Sequence, residues 1–360
     1  MNLVIYGAQA IALGAYKSIR ELTPDRDILC FLVTEMGFNA PVLGDKPVLE
    51  LKDFASSLSK EEKENIEVLI ATPETVMEAI EDSLDEAGLH CYVRLDSRRW
   101  AQMQQLAFAK NEKFMPLATC PVGVNNAKIS VYKAKFFKDK ELSTPFVNPE
   151  YMHDLQVGTA RTDVRVADLL DNQGDNISHK NGNYSELTGL YWIWKNRLVS
   201  ADVKDDEYFG VAHYRRMFDL SEDDLLRIQD NGIDVVLPYP MPYEPCIAEH
   251  PKRYLKDVDW RALLTALEEL QPEYAKSFKD ILEGEYMYNY NIIIAHREVL
   301  CDYCSWLFPI LERTEELSDP KGWERADRYI GYMGEILETL YFMHNKDRLN
   351  IVHTGCRFLV

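Results

Sequence analysis

Four short apolar runs in the first 95 residues constrain the fold more than any other feature: NLVIYG at 2–7, LCFLVT at 29–34, EVLIA at 67–71 and HCYVRL at 90–95. Each has the length of a buried strand, and stretches of helical character separate them. Those stretches run from Ala8 to Leu22, from Val48 to Leu58 as a connection plus helix after Pro47, and from Pro73-Glu74 to Ala87. Strands alternating with helices pair in parallel, and the helices cover both faces of the sheet. A Rossmann-like parallel sheet domain is therefore expected over residues 1–100.

The turn after the first strand bears on what that domain binds. A dinucleotide fingerprint needs three small residues: one to turn, one to admit the pyrophosphate, and one for helix packing. Gly7 takes the first place and Ala12 the third, but Gln9 stands in the middle and Gly14 comes too late to replace it. No Tyr-x-x-x-Lys dyad follows the third strand. The order of elements favours the fold, whereas the turn speaks against bound nicotinamide.

Residues 101–127 read as a connector, with an amphipathic helix near Trp100 to Lys110 and then Pro116, Pro121 and Gly123. A second domain is expected over 128–360. Its strands are read at 128–137, 151–159, 208–214, 234–238 and 288–295, with a polar loop at 171–183. From Tyr184 a helix carries Leu187, Leu190, Tyr191, Trp194 and Leu198 at helical spacing, and a charged loop follows it. Further helices are read from Ser221, over 260–270, 274–282 and 325–344, and over 297–314, interrupted or bent near Pro309. The proline-rich segment 240–251 is irregular and placed to cover a site.

A length of 360 residues suits two domains. The formal net charge of −19 argues against nonspecific nucleic-acid binding and against broad adhesion to anionic membranes. Seven cysteines lie scattered from Cys30 to Cys356. Only Cys301 and Cys304 are close, and no further zinc ligands stand at suitable spacing, so both read as packing residues. Neither a secretory signal nor an apolar stretch of spanning length is visible. A cytoplasmic protein is expected, with peripheral association at the inner membrane face left open.

The sharpest local signal is the strand ending in His213-Tyr214-Arg215-Arg216. Open α/β sheets bind ligands beyond the carboxyl ends of their strands, and paired arginines suit a phosphate. Continued as a strand, the run would put Arg215 and Arg216 on opposite faces. Upstream, Asn183 or Ser185 can cap the aromatic helix, which puts Glu186 in its first turn.

The runs NYSELTGLYWIWKN and GVAHYRRMF, followed by DVVLP, YNIIIAHREVLCDYCSWLFPIL and RYIGYMGEILETLY, resemble the DUF4422 family of bacterial capsular and exopolysaccharide glycosyltransferases. The resemblance covers 128–345 and leaves the first domain outside. That domain resembles instead a small nucleotide-sugar-binding domain found ahead of some sugar acetyltransferases. The DUF4422 resemblance implies a GT-A-like mixed α/β glycosyltransferase domain. In many GT-A enzymes an Asp-x-Asp at a strand end holds a divalent metal on the donor diphosphate. The strand of matching order here ends in HYRR, so the resemblance implies that Arg215 and Arg216 hold the diphosphate instead. The two Asp-x-Asp matches, Asp25–Asp27 and Asp257–Asp259, follow no apolar strand and read as solvated or helix-starting charges. A divalent metal stays open, without a convincing motif to hold it.

The same resemblance implies sugar or donor contacts for Asn183, Glu186, His213, Asn291 and Arg328. It makes Glu335 the first candidate for serving the acceptor, with Asp327 the second. Arg328 and Glu335 stand seven apart, two turns along one helix face. Ile336 departs from the family's frequent basic residue at that place.

The expected function is transfer of a sugar from a nucleotide-sugar donor, a UDP-sugar by resemblance, to a glycan or lipid-linked acceptor in surface polysaccharide synthesis. Two alternatives stand beside it: a nucleotide-sugar-modifying NAD-dependent oxidoreductase, and a non-catalytic scaffold of a polysaccharide-synthesis complex.

Overall fold

A computed structural model describes residues 1–199 and 206–360. Most of the charged loop expected after the aromatic helix falls on 200–205, outside the described residues. The chain forms two α/β units, each around its own sheet.

The first sheet comprises β1 (Asn2–Tyr6), β2 (Ile28–Val33), β3 (Val42–Leu43), β4 (Lys46–Glu50), β5 (Ile66–Ile70) and β6 (Tyr92–Arg94), in the order β3-β4-β2-β1-β5-β6. All pairings are parallel except the β3–β4 hairpin. Helices α1 (Ala10–Leu22), α2 (Leu51–Ser56), α3 (Lys60–Glu64) and α4 (Met77–Glu86) connect the strands. Strand alternation splits β1 between two cores, with Leu3 and Ile5 in one and Val4 and Tyr6 in the other. The expected parallel sheet is present. One local reading changes: Val48 belongs to β4, paired with Phe31, rather than to a connection.

Gly7 sits at φ +123°, and a Cβ there would lie 2.5 Å from the Ala71 carbonyl oxygen. The turn therefore requires glycine irrespective of any ligand. The Gln9 side chain donates to Asn39 and accepts from Arg253 Nη1 at 2.7 Å. This side chain fills the middle fingerprint position and ties the turn to the second unit.

The connector is a packed element. Asp96 caps α5 (Ser97–Asn111) by accepting from the Arg98 and Arg99 amides. Trp100 meets Phe358 edge-on at 6.0 Å, inside a core that also holds Met241. One hydrophobic cluster thus bridges both units.

The strands of the second unit are β7 (Lys128–Lys135), β8 (Met152–Gln156), β9 (Leu169–Leu170), β10 (Glu207–His213), β11 (Arg216–Phe218), β12 (Val235–Pro238), β13 (Met241–Pro242), β14 (Tyr286–Met287), β15 (Ile293–His296), β16 (Ile351–Thr354) and β17 (Cys356–Phe358). The main path of its sheet is β16-β12-β15-β10-β7-β8-β9, while β11 and β17 pair at one end and β13–β14 stand apart. Strands β10, β7, β8 and β9 are parallel neighbours, and β15 is antiparallel to β10 and β12.

Its helices are α6 (Asn181–Tyr184), α7 (Leu187–Ile193), α8 (Glu222–Asp230), α9 (Asp257–Leu270), α10 (Pro272–Leu282), α11 (Arg297–Leu317) and α12 (Tyr329–His344). The largest core packs α9, α11 and α12 against one sheet face through Leu263, Leu307, Leu311 and Leu337.

Three readings need correction. Strand β15 starts at Ile293 rather than Tyr288, because Tyr290 and Asn291 take φ of +76° and +49° and leave the extended region. Helix α11 continues through Pro309 to Leu317. Asp259 begins a helix, as expected, but it is fully buried against Arg325 rather than solvated.

Candidate active site

The parallel strands β7, β8 and β10 end at one edge, and a cavity of about 760 Å³ opens there. The C-terminal residue of β10, His213, pairs back with Arg216 to make a tight turn. Tyr214 and Arg215 therefore form a hairpin tip and Arg216 opens the returning strand β11, so the chain does not continue β10, and both arginines line the cavity. Glu186, His213, Arg328 and Glu335 line it with them.

The cavity is cationic in a chain of formal charge −19. Arg161, Arg215, Arg216, Arg328 and Lys138 face Asp139, Glu186 and Glu335. None of the four arginines pairs with a carboxylate among the described residues. Arg216 lies over the rings of Phe358 at 4.2 Å and Tyr290 at 5.5 Å, and its Nε has no hydrogen-bond partner. Arg215 lies 5.0 Å from the Tyr214 ring. Arg328 donates from Nε to Ser185 Oγ at 3.0 Å. Guanidinium groups held on aromatic faces, free of carboxylates, suit an anionic ligand.

Arg161 escaped the reading of the sequence. It follows β8 in the turn Thr159–Arg161, and Gly182 makes room for it: a Cβ there would fall 2.1 Å from Arg161 Nη1. The turn is fixed by Asp171, which is wholly buried. Its carboxylate accepts from the amides of Gly158 at 2.8 Å and Thr159 at 3.1 Å, and from the hydroxyls of Thr159, Ser178 and Thr188. Asp171→Ala would leave these donors unpaired and is expected to cost about 2–4 kcal/mol. Chemical denaturation measures that cost, and an unchanged midpoint would contradict the role given to Asp171.

The two glutamates differ in environment. Glu186 is buried and accepts from Asn291 Nδ2 at 2.6 Å. Its side chain makes no capping bond to α7, and Asn183 does not cap that helix either. Glu335 takes a longer contact from Asn289 Nδ2 at 3.4 Å. Burial first, and the charge of Glu186 second, push its carboxyl up to about 8. Glu335 thus holds a proton near neutrality, the condition for a group that gives or takes one. Burial also pushes Asp139 up to about 6.

His213 Nε2 lies 3.7 Å from Glu186 Oε1, without a hydrogen-bond partner. Burial lowers its pKa, against the pull of Glu186, and favours neutral imidazole.

Three other sequence candidates lie outside the cavity wall. Asn291 stands behind Glu186 and also donates to the Gly331 carbonyl at 3.1 Å. Asn183 donates to the carbonyls of Gly322 and Arg325 and accepts from the Asp327 amide, bracing the turn before α12. Asp327 pairs with Arg325, which also makes a two-pronged contact with Asp259 at 2.7 and 2.8 Å. Among the described residues, no group of three His, Cys, Asp or Glu is arranged to hold a metal.

Backbone strain gathers here. Of the five described non-glycine residues with positive φ, Ser185, Tyr290, Asn291 and Arg328 belong to this site, and only Glu112 lies elsewhere. Such residues persist where their surroundings hold them, and they cluster at ligand sites.

The model of a family described as a domain of unknown function, DUF4422, matches residues 138–346. A solved structure described as the apo form of the WbbM bifunctional glycosyltransferase superposes with a TM-score of 0.54 and 25% sequence identity over 64% of this chain. The chain spans 45% of the length of that protein. No curated protein matches by sequence. Among the described residues, no helix is long and apolar enough to cross a membrane.

Proposed function

The chain belongs to the DUF4422 family, and from that premise we propose that it is a glycosyltransferase acting on a nucleotide-sugar, with UDP-hexose as the donor. The observation that carries this reading is the set of arginines without carboxylate partners at the ends of parallel strands, beside Glu186 and a Glu335 whose carboxyl burial pushes up. Similarity to a bifunctional glycosyltransferase supports the same class of reaction.

In this reading Arg215 and Arg216 hold the donor diphosphate, with Arg161 and Arg328 beside them. They neutralise the charge that develops as the sugar–phosphate bond breaks. Glu186 and His213 shape the sugar pocket, and Asn291 orients Glu186. Glu335, deprotonated, takes the proton of the attacking acceptor hydroxyl. Asp327 is the weaker candidate for that task because Arg325 occupies its carboxylate. The acceptor is a glycan or lipid-linked saccharide of a surface polysaccharide, reached by peripheral association with a membrane where the acceptor is lipid-linked.

Calorimetric titration with UDP and UDP-hexoses tests the reading, run once with chelator and once with magnesium or manganese. Binding in chelator, with slow release of UDP from one UDP-hexose, is the expected result. Failure of every nucleoside diphosphate to bind in either condition would end the proposal.

A further inference from the structure

A row of aromatic rings leads from the molecular surface into the cavity, and none of the roles above uses it. Tyr243 meets His250 at 4.1 Å, His250 meets Tyr254 at 5.1 Å, and Tyr254 stacks on Tyr332 at 4.9 Å with 24° between the planes. The last two members of the row differ. Tyr254 is 49% exposed, while Tyr332 lines the cavity. Tyr332 and Glu335 stand three apart on α12 and share a face, while Arg328, left-handed at the N-cap, precedes the helix and lines the same cavity. At the buried end, Asn289 Nδ2 donates to Tyr243 at 3.0 Å and reaches Glu335 Oε2 at 3.4 Å. Ring row and carboxylate therefore belong to one network.

The segment that presents Tyr254 is braced. Its backbone closes in turns, with the Tyr254 and Leu255 amides donating to the Pro251 carbonyl at 2.9 and 2.8 Å. From outside, Arg253 donates to Gln9 at 2.7 Å, and Glu244 accepts from the Gly44 amide at 2.7 Å. The first unit thus holds the strip that carries the exposed ring.

A hexose presents an apolar C–H face and hydroxyl edges. Flat phenol rings with polar tips match both, and ligand sites combine aromatic walls with a few placed polar groups. We propose that Tyr254 and Tyr332 form the stacking platform of an acceptor subsite, which receives the terminal hexose of a glycan and delivers its hydroxyl towards Glu335. This inference rests on the glycosyltransferase reading and assigns the acceptor end of that site.

Saturation-transfer NMR on the full chain tests it, with UDP present and methyl β-glucoside, methyl β-galactoside and methyl α-mannoside as probes. At least one probe should receive saturation on its ring C–H protons. Tyr254→Ala should weaken that binding roughly fivefold to tenfold, Tyr254→Phe should retain it, and the affinity for UDP should stay within about twofold. Because Tyr254 is half exposed, its replacement leaves the core intact. No transfer to any probe in the wild type, or transfer that Tyr254→Ala leaves unchanged, overturns the proposal. A loss of UDP affinity in Tyr254→Ala overturns it as well, because the rings then serve the donor. Failure of the glycosyltransferase reading has a different signature: UDP itself does not bind the wild type.

Discussion

The double variant Arg215→Ala/Arg216→Ala is expected to weaken UDP binding by roughly two to four orders of magnitude. Each charge-assisted hydrogen bond to a phosphate contributes about 1.5–3 kcal/mol, and two are removed. The geometry makes the loss hard to compensate. Arg216 lies over the rings of Phe358 and Tyr290 without a competing carboxylate, so little reorganisation is needed when an anion arrives. That stacking also contributes to packing, and Arg216→Ala is expected to lower the melting temperature. Arg161→Ala separates the two effects. Arg161 is exposed, so its removal should leave the melting temperature unchanged while binding falls about tenfold to a hundredfold. Affinity for UDP that neither variant alters would move the diphosphate elsewhere.

Much of this site was legible because it is written in local chemistry. Apolar runs between helical stretches marked the first sheet and the strands β7, β8, β10, β12 and β15 of the second, though not β9, β11, β16 or β17, and His213 to Arg216 stood out as polar residues at the end of an apolar strand. Arg328 and Glu335 both line the cavity, but not as two turns of one helix face: α12 starts at Tyr329, and Arg328 stands left-handed at its N-cap. What stayed hidden depends on partners distant in sequence. Arg161 enters the site only because Asp171 fixes its turn and Gly182 leaves space. Asn183 resembles a helix cap in its local context, yet its amide is engaged 139 to 142 residues away. The segment 288–295 before α11 reads as one strand, since its aromatic and β-branched residues do not reveal that Tyr290 and Asn291 turn left-handed. Asp259 reads as solvated until Arg325 arrives from the far side of the core.

Glu335→Gln should reduce turnover by about two to four orders of magnitude while making the protein more stable in neutral and alkaline solution. Both effects have one origin. The folded protein holds the Glu335 proton up to about pH 8, whereas the unfolded chain releases it near 4.5. Between those values the folded state carries more protons, so stability falls as pH rises and levels off above the folded pKa. Below 4.5 both states are protonated and no penalty remains. Glutamine removes the penalty, worth about 2 kcal/mol near pH 8 once the water in the cavity is allowed for. Activity should run the other way. A base must be deprotonated, so the wild-type rate should climb towards pH 8 and then level, and that limb should vanish in Glu335→Gln. Glu186→Gln supplies an internal check. Its charge is the second cause of the raised value, so removing it should move the limb to lower pH. Rate profiles of the three proteins, with denaturation at pH 5 and pH 8, decide the matter. A flat wild-type profile would take the base role from Glu335, and a Glu335→Gln protein no more stable than wild type at pH 8 would show that the carboxyl is not held protonated by the fold.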